Sequence, residues 1–328
     1  MELPISCRLI LDEMISESSC TTADLRLAVE QMTVSYKEAS GRGKRLVTER
    51  CEVLAYAAAR MPATFGAISH AISAALETLS EEDAASISTV LDVGAGTGAA
   101  TLAAAACLPS PVAVTAVERE AQMLAVGQRM TADCDVTWVQ DDATAYVRRL
   151  ADAHKTYDMV IASYMTNEMA DDARRALFSL LWQITGKLLV IIEPGTKVGS
   201  AILRDARGTF TAQGASICAP CPQIGDCPLA ADDWCHFTCR VARSKLHKAL
   251  KGGDVPYEDE KFSYLALTHL PFTPSENRVL RHPIKEAGKI TLTLCTPQGF
   301  QIKAVTKRDK AAFTAARKAD AGDNLTLL

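Results

Sequence analysis

The residue types best suited to chemistry gather late in the chain. Cys221, Cys227 and Cys235 follow one another closely, the first two each precede a proline (Pro222, Pro228), and Cys295 lies far downstream. Cys218 and Cys239 flank the run. Thiolates are soft ligands, so thiols packed densely into one loop point to a metal ion or an iron–sulfur cluster that closes it. Zinc ribbons usually pair two short C-x-x-C knuckles; Cys218-Ala219-Pro220-Cys221 supplies one, and no second follows. Irregular gaps, Cys-Pro pairs and one remote cysteine fit a cubane cluster better than a zinc knuckle, and incidental buried thiols fit the recurrence poorly.

A second group stands near the middle. Asp92-Val93-Gly94-Ala95-Gly96-Thr97-Gly98 follows a short apolar strand and opens a helix, and Glu118 closes the next strand. Glycines let the backbone turn tightly and approach a ligand, while the helix start presents unpaired N–H groups. An acid at the end of the second strand can accept both hydroxyls of a ribose. This acid-then-G-x-G-x-G spacing resembles class I S-adenosylmethionine (SAM) methyltransferases more than NAD-binding enzymes. The resemblance implies that the loop (Asp92, Gly94, Ala95, Gly96, Gly98) cradles the methionine part of SAM, that Glu118 binds ribose, and that Asp141, Asp142 and Ala143 flank adenine. The alternative is a loop that keeps the fold and has lost the ligand. Catalysis is a separate question. The tetrapeptide of amino-group methylation is replaced by Ser163-Tyr164-Met165-Thr166, and no cysteine nucleophile occurs between 158 and 170. Tyr164, Asn167 and Glu168 are candidates to position a substrate, or else form a helix start with Asn167 as cap. No catalytic residue is assigned.

The elements that would position these groups follow from periodicity. Residues 1–85 read as helical, with Thr22 as an N-cap, Pro62 early in a helix, and a basic interruption at Gly41-Arg42-Gly43-Lys44-Arg45. Strands are expected at 89–93, 112–117, 136–139, 157–163 and 187–192, with helices at 99–108, 121–130, 143–153 and 170–181 between them. That alternation implies βαβ units and a parallel sheet covered on both faces. Beyond it come a helix at 197–209, a Cys/Pro loop at 211–240, β structure through 261–306 and a basic helix at 307–318. The expected organisation is a helical region at 1–85, a SAM-binding Rossmann-like domain at 86–210, and a cysteine-loop and β-rich module at 211–328.

Composition narrows the class. The 328 residues are 48% hydrophobic and 23% charged, which is ordinary for a globular protein with ample core. A formal net charge of −4 gives no global attraction for nucleic acid. From Arg240 onward, however, bases outnumber acids: Arg240, Arg243, Lys245, Lys248, Lys251, Arg278, Arg281, Lys285, Lys289, Lys303, Lys307, Arg308, Lys310, Arg317 and Lys318. Such a local field suits RNA phosphates, by backbone and shape contact rather than stacking, since aromatics are sparse; the bland reading is a solvated charged face. Eleven cysteines without a secretion-type N-terminus indicate a reducing cytoplasm and no disulfide scaffold, and no apolar run reaches membrane-spanning length.

Taken together, Ala219-Pro220-Cys221-Pro222, Asp226-Cys227-Pro228, Trp234-Cys235-His236-Phe237 and Leu294-Cys295-Thr296-Pro297-Gln298-Gly299 resemble a known family. It is the methyltransferase-like assembly-factor family of the mitochondrial small ribosomal subunit and its bacterial relatives. The resemblance extends over Tyr56-Ala57-Ala58-Ala59-Arg60-Met61-Pro62-Ala63-Thr64, the glycine loop, Ser163-Tyr164 with Asn167-Glu168, and Glu193-Pro194-Gly195-Thr196. It implies an α/β, class I SAM-methyltransferase (Rossmann-like) sheet with an N-terminal helical extension and a C-terminal β-rich iron–sulfur module. It further implies Ser163 at the cofactor, a [4Fe–4S] cluster on Cys221, Cys227, Cys235 and Cys295 with a structural role, and Cys218, Cys239 and His236 as non-ligands. The implied partners are the small ribosomal subunit and 16S rRNA, with a monomer when free, no membrane, and a bacterial cytoplasmic, ribosome-associated location. Two rival readings are an active rRNA methyltransferase and a zinc-bearing methyltransferase of a protein or small molecule.

Overall fold

The computed structural model of the chain describes residues 1–39, 47–223 and 225–326; the basic segment at Gly41 to Arg45 lies outside the described residues. The N-terminal stretch forms α1 (Ile5–Glu17), α2 (Thr22–Ala39), α3 (Arg50–Ala59), α4 (Met61–Leu76) and α5 (Glu81–Ala85). The cap of α2 falls one residue before the expected Thr22. The Thr21 hydroxyl accepts the Asp24 N–H at 3.2 Å, and the Asp24 carboxylate accepts the Thr21 N–H at 2.9 Å. In α4, Pro62 sits in the first turn, and Phe65, Ile68 and Ile72 are wholly buried. A helix apolar on nearly every side has to be an interior helix.

Strand and helix then alternate as the periodicity predicts. The run is β1 (Thr89–Val93), α6 (Ala99–Cys107), β2 (Ala113–Glu118), α7 (Ala121–Met130), β3 (Val136–Gln140), α8 (Ala143–Asp152), β4 (Tyr157–Ser163), α9 (Asp171–Leu181), β5 (Thr185–Pro194) and α10 (Lys197–Ala212). Strands β1 to β5 pair in parallel, in the order β3-β2-β1-β4-β5. The fold is therefore α/β and Rossmann-like, and the order reverses between β1 and β4, where such sheets open a crevice at the carboxyl ends of their strands.

The rest of the chain completes this sheet before building another. The stretch expected as a loop at 211–240 contains β6 (Ser216–Ala219) and most of β7 (Phe237–Ala242), followed by α11 (Lys245–Lys251) and β8 (Tyr257–Thr268). Strand β8 runs antiparallel to β5, with Leu189 opposite Leu267 and Pro194 opposite Phe262, and β6 and β7 pair with its other edge. The sheet is thus mixed, and β8 belongs to it and not with the later strands. Those are β9 (Arg278–Val279), β10 (Ile284–Glu286), β11 (Lys289–Thr296) and β12 (Gly299–Thr306), an antiparallel sheet covered by α12 (Lys310–Lys318). Its core is Val279, Ile290, Leu292, Leu294 and Val305 against Ala312 and Ala316.

Helix α4 packs on α6, β7 and β8. A Cβ on Gly66 would fall 2.8 Å from Val241 Cγ1 of β7, so the glycine lets helix and strand meet closely. Cys20 and Cys51 form a disulfide, Cα to Cα 5.8 Å, which joins the approach to α2 with the first turn of α3. The cysteine usage had pointed away from disulfides; the other nine cysteines are free. Among the described residues no helix is long and apolar enough to cross a membrane.

The crossing of the β5–α10 turn over β8 depends on Gly195, where a Cβ would lie 2.7 Å from the Lys261 carbonyl carbon and the Phe262 nitrogen. Gly195→Ala is expected to lower unfolding free energy by about 1–3 kcal/mol in urea titrations. Gly208, inside α10, has nothing within 4 Å of a Cβ, and Gly208→Ala is expected to raise stability by about 0.4–1 kcal/mol.

Candidate functional site

The glycine loop is shaped by backbone that only glycine adopts readily. Gly94, Gly96 and Gly98 have φ of 71°, 55° and 86°, and Gly98 is the N-cap of α6. Both the Gly94 and Ala95 N–H groups donate to the Val117 carbonyl, at 3.0 and 2.9 Å. Glu118, at the end of β2, accepts the Gly96 N–H on one carboxylate oxygen and the Glu120 N–H on the other, each at 2.8 Å. The acid therefore fastens the loop to the second strand, and burial raises its pKa. Asp92 lies behind the loop. It is fully buried and accepts the Thr101 N–H (3.0 Å) and hydroxyl (2.8 Å), pinning α6 to β1.

In front of the loop is a cavity of about 170 Å³. Of the residues expected at a cofactor, Gly94, Gly96, Glu118, Asp142, Ala143 and Ser163 line it; Asp92, Ala95, Gly98 and Asp141 do not. Asp142 caps α8 by accepting the Ala145 N–H at 3.0 Å, and Asp141 is ion-paired with Arg149. Tyr56 of α3, Tyr164 and Met165 also line the cavity, and no role was foreseen for Tyr56 or Met165. Met165 lies across the first glycine, since a Cβ on Gly94 would sit 3.2 Å from its Cβ and Cγ. Nothing comes within 4 Å of a Cβ on Gly96, so the loop is open at its second glycine.

The turn after β4 is strained. Tyr164 has φ +56°, a left-handed conformation costing a non-glycine residue about 1–3 kcal/mol. Its N–H donates to Ile192 O at 2.8 Å and its hydroxyl to Glu260 at 3.3 Å, where Arg60 also donates. Residues Thr166–Glu168 form a 3-10 turn and Ala170 is the N-cap of α9, so Asn167 is not a helix cap. Glu193, wholly buried at the end of β5, accepts the Thr166 N–H at 3.1 Å and the Thr166 hydroxyl.

The second site is the thiol group. Cys227 and Cys235 pack with Cys295 around Leu229 and Leu280, and Cys221 packs against the core below. Burial, then the neighbouring thiols, raise the pKa of Cys235 and Cys295, the latter to about 12, and burial likewise raises that of Cys221. Arg207 draws Cys221 and Cys295 the other way, and Arg278 acts on all three. Both arginines are buried. Arg207 donates to the carbonyls of Gln223 (2.7 Å) and Gly225 (2.8 Å) inside the loop. Arg278 donates to Pro220 O (3.0 Å), Gly322 O (2.7 Å) and Ser275 Oγ (2.7 Å). The sequence places Arg278 among the surface cations, whereas the structure buries it; for Arg207, the sequence signal is an arginine on the apolar face of amphipathic α10. Cys218 and Cys239 face away from the group, towards Thr78 and Ala63. Among the described residues, no three or more His, Cys, Asp or Glu side chains close on a geometry that holds a metal ion.

The model of the family described as mitochondrial small ribosomal subunit Rsm22 matches residues 50–326. The chain belongs to the Rsm22 family. This Rsm22-family chain is 26% identical over 295 residues to the human ribosome assembly protein METTL17, mitochondrial, covering 84% of the chain and 62% of that protein. It therefore spans less than two thirds of the relative's length. Among solved structures, a SAM-dependent methyltransferase from Agrobacterium tumefaciens matches at 15% identity and a TM-score of 0.39, over 61% of this chain and 59% of that one. Magnesium protoporphyrin IX methyltransferase from Synechocystis PCC 6803, with bound SAM, matches at 14% and 0.39, over 73% and 96%. Likenesses this distant carry no weight here; the strand order carries the fold.

Two buried carboxyls of this site make stability depend on pH. Burial raises Glu193 to about 8 and Asp92 to about 7, and the second Asp92 oxygen is buried without a partner. A raised folded pKa favours the protonated form, so this stability is present below the ordinary carboxyl range and lost as pH rises through the folded values. The melting temperature of the wild type should fall as pH rises from about 4 to about 8, and Glu193→Gln should flatten that slope.

Proposed function

We propose that this Rsm22-family chain is a methyltransferase-like assembly factor of the small ribosomal subunit that binds SAM and a [4Fe–4S] cluster. The observation that carries the reading is the family match over most of the chain, joined with two sites. One is a glycine loop fastened to an acid, the other a neighbourhood of four cysteines, of which Cys295 is buried and Cys221, Cys227 and Cys235 are half-buried. The human relative is named for ribosome assembly, which supports the same role here.

For SAM, the fit rests on the open approach at Gly96 and on Glu118, whose oxygens each keep a lone pair after accepting one backbone N–H. Gly94 and Gly96 would receive the methionine end, Glu118 the ribose, and Asp142 and Ala143 the adenine, with Ser163 at the cofactor from the end of β4. SAM supplies an activated methyl group when bound; no residue of this chain is assigned the transfer. Met165 must turn aside from Gly94 to admit the ligand. Met165→Ala is expected to tighten S-adenosylhomocysteine binding several-fold in isothermal titration. Unchanged or weaker binding would remove Met165 as the obstruction, and no binding by either protein would remove SAM from the reading.

For the cluster, the fit rests on the donor set. Half-buried Cys221, Cys227 and Cys235 stand near buried Cys295, would have to draw closer to hold a cluster, and have Arg207 and Arg278 beside them to offset the charge of thiolates. Cys221, Cys227, Cys235 and Cys295 would hold it, joining the loop to β11, and its contribution would be cross-linking. The exposed cations of the last third, Lys285, Lys303 and Lys307 among them, would meet rRNA phosphates. Anaerobically purified protein is expected to contain iron and labile sulfide, and Ser at any of the four positions to lose both and to lower association with free small subunits in sedimentation. Stoichiometric zinc without iron would overturn the cluster.

A further inference from the structure

A second cavity, of about 790 Å³, adjoins the first and shares Tyr56 and Tyr164 with it as a common wall. It stands beyond the carboxyl ends of β4 and β5, where Tyr164 and Thr196 lead away from the sheet, which is where ligands enter this class of fold. Its size falls within the range of small-molecule sites, about 300–1,000 Å³. Its walls are of two kinds. Val29 and Met32 of α2 and Val198 and Ile202 of α10 are apolar, with Val198 64% exposed. Arg60, Arg174 and Lys251 line the cavity as cations, while Asp171 is the one lining carboxylate among the described residues. The acids that pair with Arg60 and Lys251, Glu260 and Glu258, stand outside the lining. Arg174 is 8% exposed, and its ion-pair partner Asp171 is mostly in solvent.

An apolar and aromatic chamber lined by three cations, each ion-paired at one end, and one carboxylate suits an anion with a flat, weakly polar body. We infer that this cavity binds one nucleotide unit, its base between the tyrosine wall and the aliphatic wall and its phosphate towards Arg174 and Lys251. The inference rests on the functional reading above, because an RNA partner is what would deliver such a unit beside the cofactor pocket. It adds the place at which RNA enters the fold, distinct from the lysine-rich surface of the small sheet.

The test uses the full chain and nucleoside 5′-monophosphates, with the parent nucleosides and decanoate as controls, read by ligand-observed NMR and isothermal titration. Monophosphates are expected to bind more tightly than nucleosides by about tenfold or more, as a charge-assisted contact requires. Val198→Trp, at an exposed position, is expected to fill the chamber and abolish that binding while leaving thermal stability and S-adenosylhomocysteine binding unchanged. Lys251→Met is expected to reduce the monophosphate preference about tenfold. Equal binding of nucleoside and monophosphate, preference for decanoate, or binding that survives Val198→Trp would each overturn the site. A chain that binds S-adenosylhomocysteine and no nucleotide overturns this inference alone, whereas nucleotide binding without S-adenosylhomocysteine binding overturns the cofactor reading and leaves the cavity's role standing.

Discussion

Strand β8 is the constraint on which the rest of the molecule depends. Along one edge it closes the parallel sheet against β5, and along the other it carries β6 and β7, the two strands that bracket the cysteine loop. Its side chains reach both sites. Ser263 donates to the Cys235 carbonyl at 2.7 Å, and Glu260, behind the cavity wall, receives Arg60 and Tyr164. An antiparallel strand has fixed register wherever its face is buried, and β8 is buried from Phe262 to Thr268. The pockets and the thiols are therefore tied to the same strand.

Polar groups are spent sparingly and in the same manner at both places. Glu118 takes two backbone N–H groups and so orders the glycine loop, while Arg207 and Arg278 satisfy carbonyls of a cysteine loop that has little regular structure of its own. Buried backbone without strand or helix partners must find them elsewhere, and a guanidinium with five N–H donors is well suited to the task. One loop is organised by an acid, the other by bases.

Much of this could be read from residues. Parallel strands buried on both faces appear as apolar runs, as in Val160-Ile161-Ala162 and Leu189-Val190-Ile191, and the helices between them show their period plainly. The glycine loop was legible because positive φ demands glycine. Other features were hidden because they are tertiary. Strands β6 and β7 lie within Pro- and Cys-rich sequence and owe their existence to the edge of β8. Thr21 and Thr22 are alike in type, so which of them caps α2 was decided by the reach of Asp24. Tyr56 gives no local sign that its helix will end at a cavity. Arg278 resembles any surface base until the strand face on which it stands is known.

That last residue links parts of the chain far apart in order. Its guanidinium holds Pro220 at the mouth of the cysteine loop and Gly322 in the terminal stretch at the same time. The turn at Gly322 is thus a clasp for the cysteine loop. Loss of the stretch around Gly322 would leave a buried cation short of an acceptor beside four cysteines, and damage at the tail would be felt as a loosened loop a hundred residues earlier in the chain, on the order of the separation between Pro220 and Gly322.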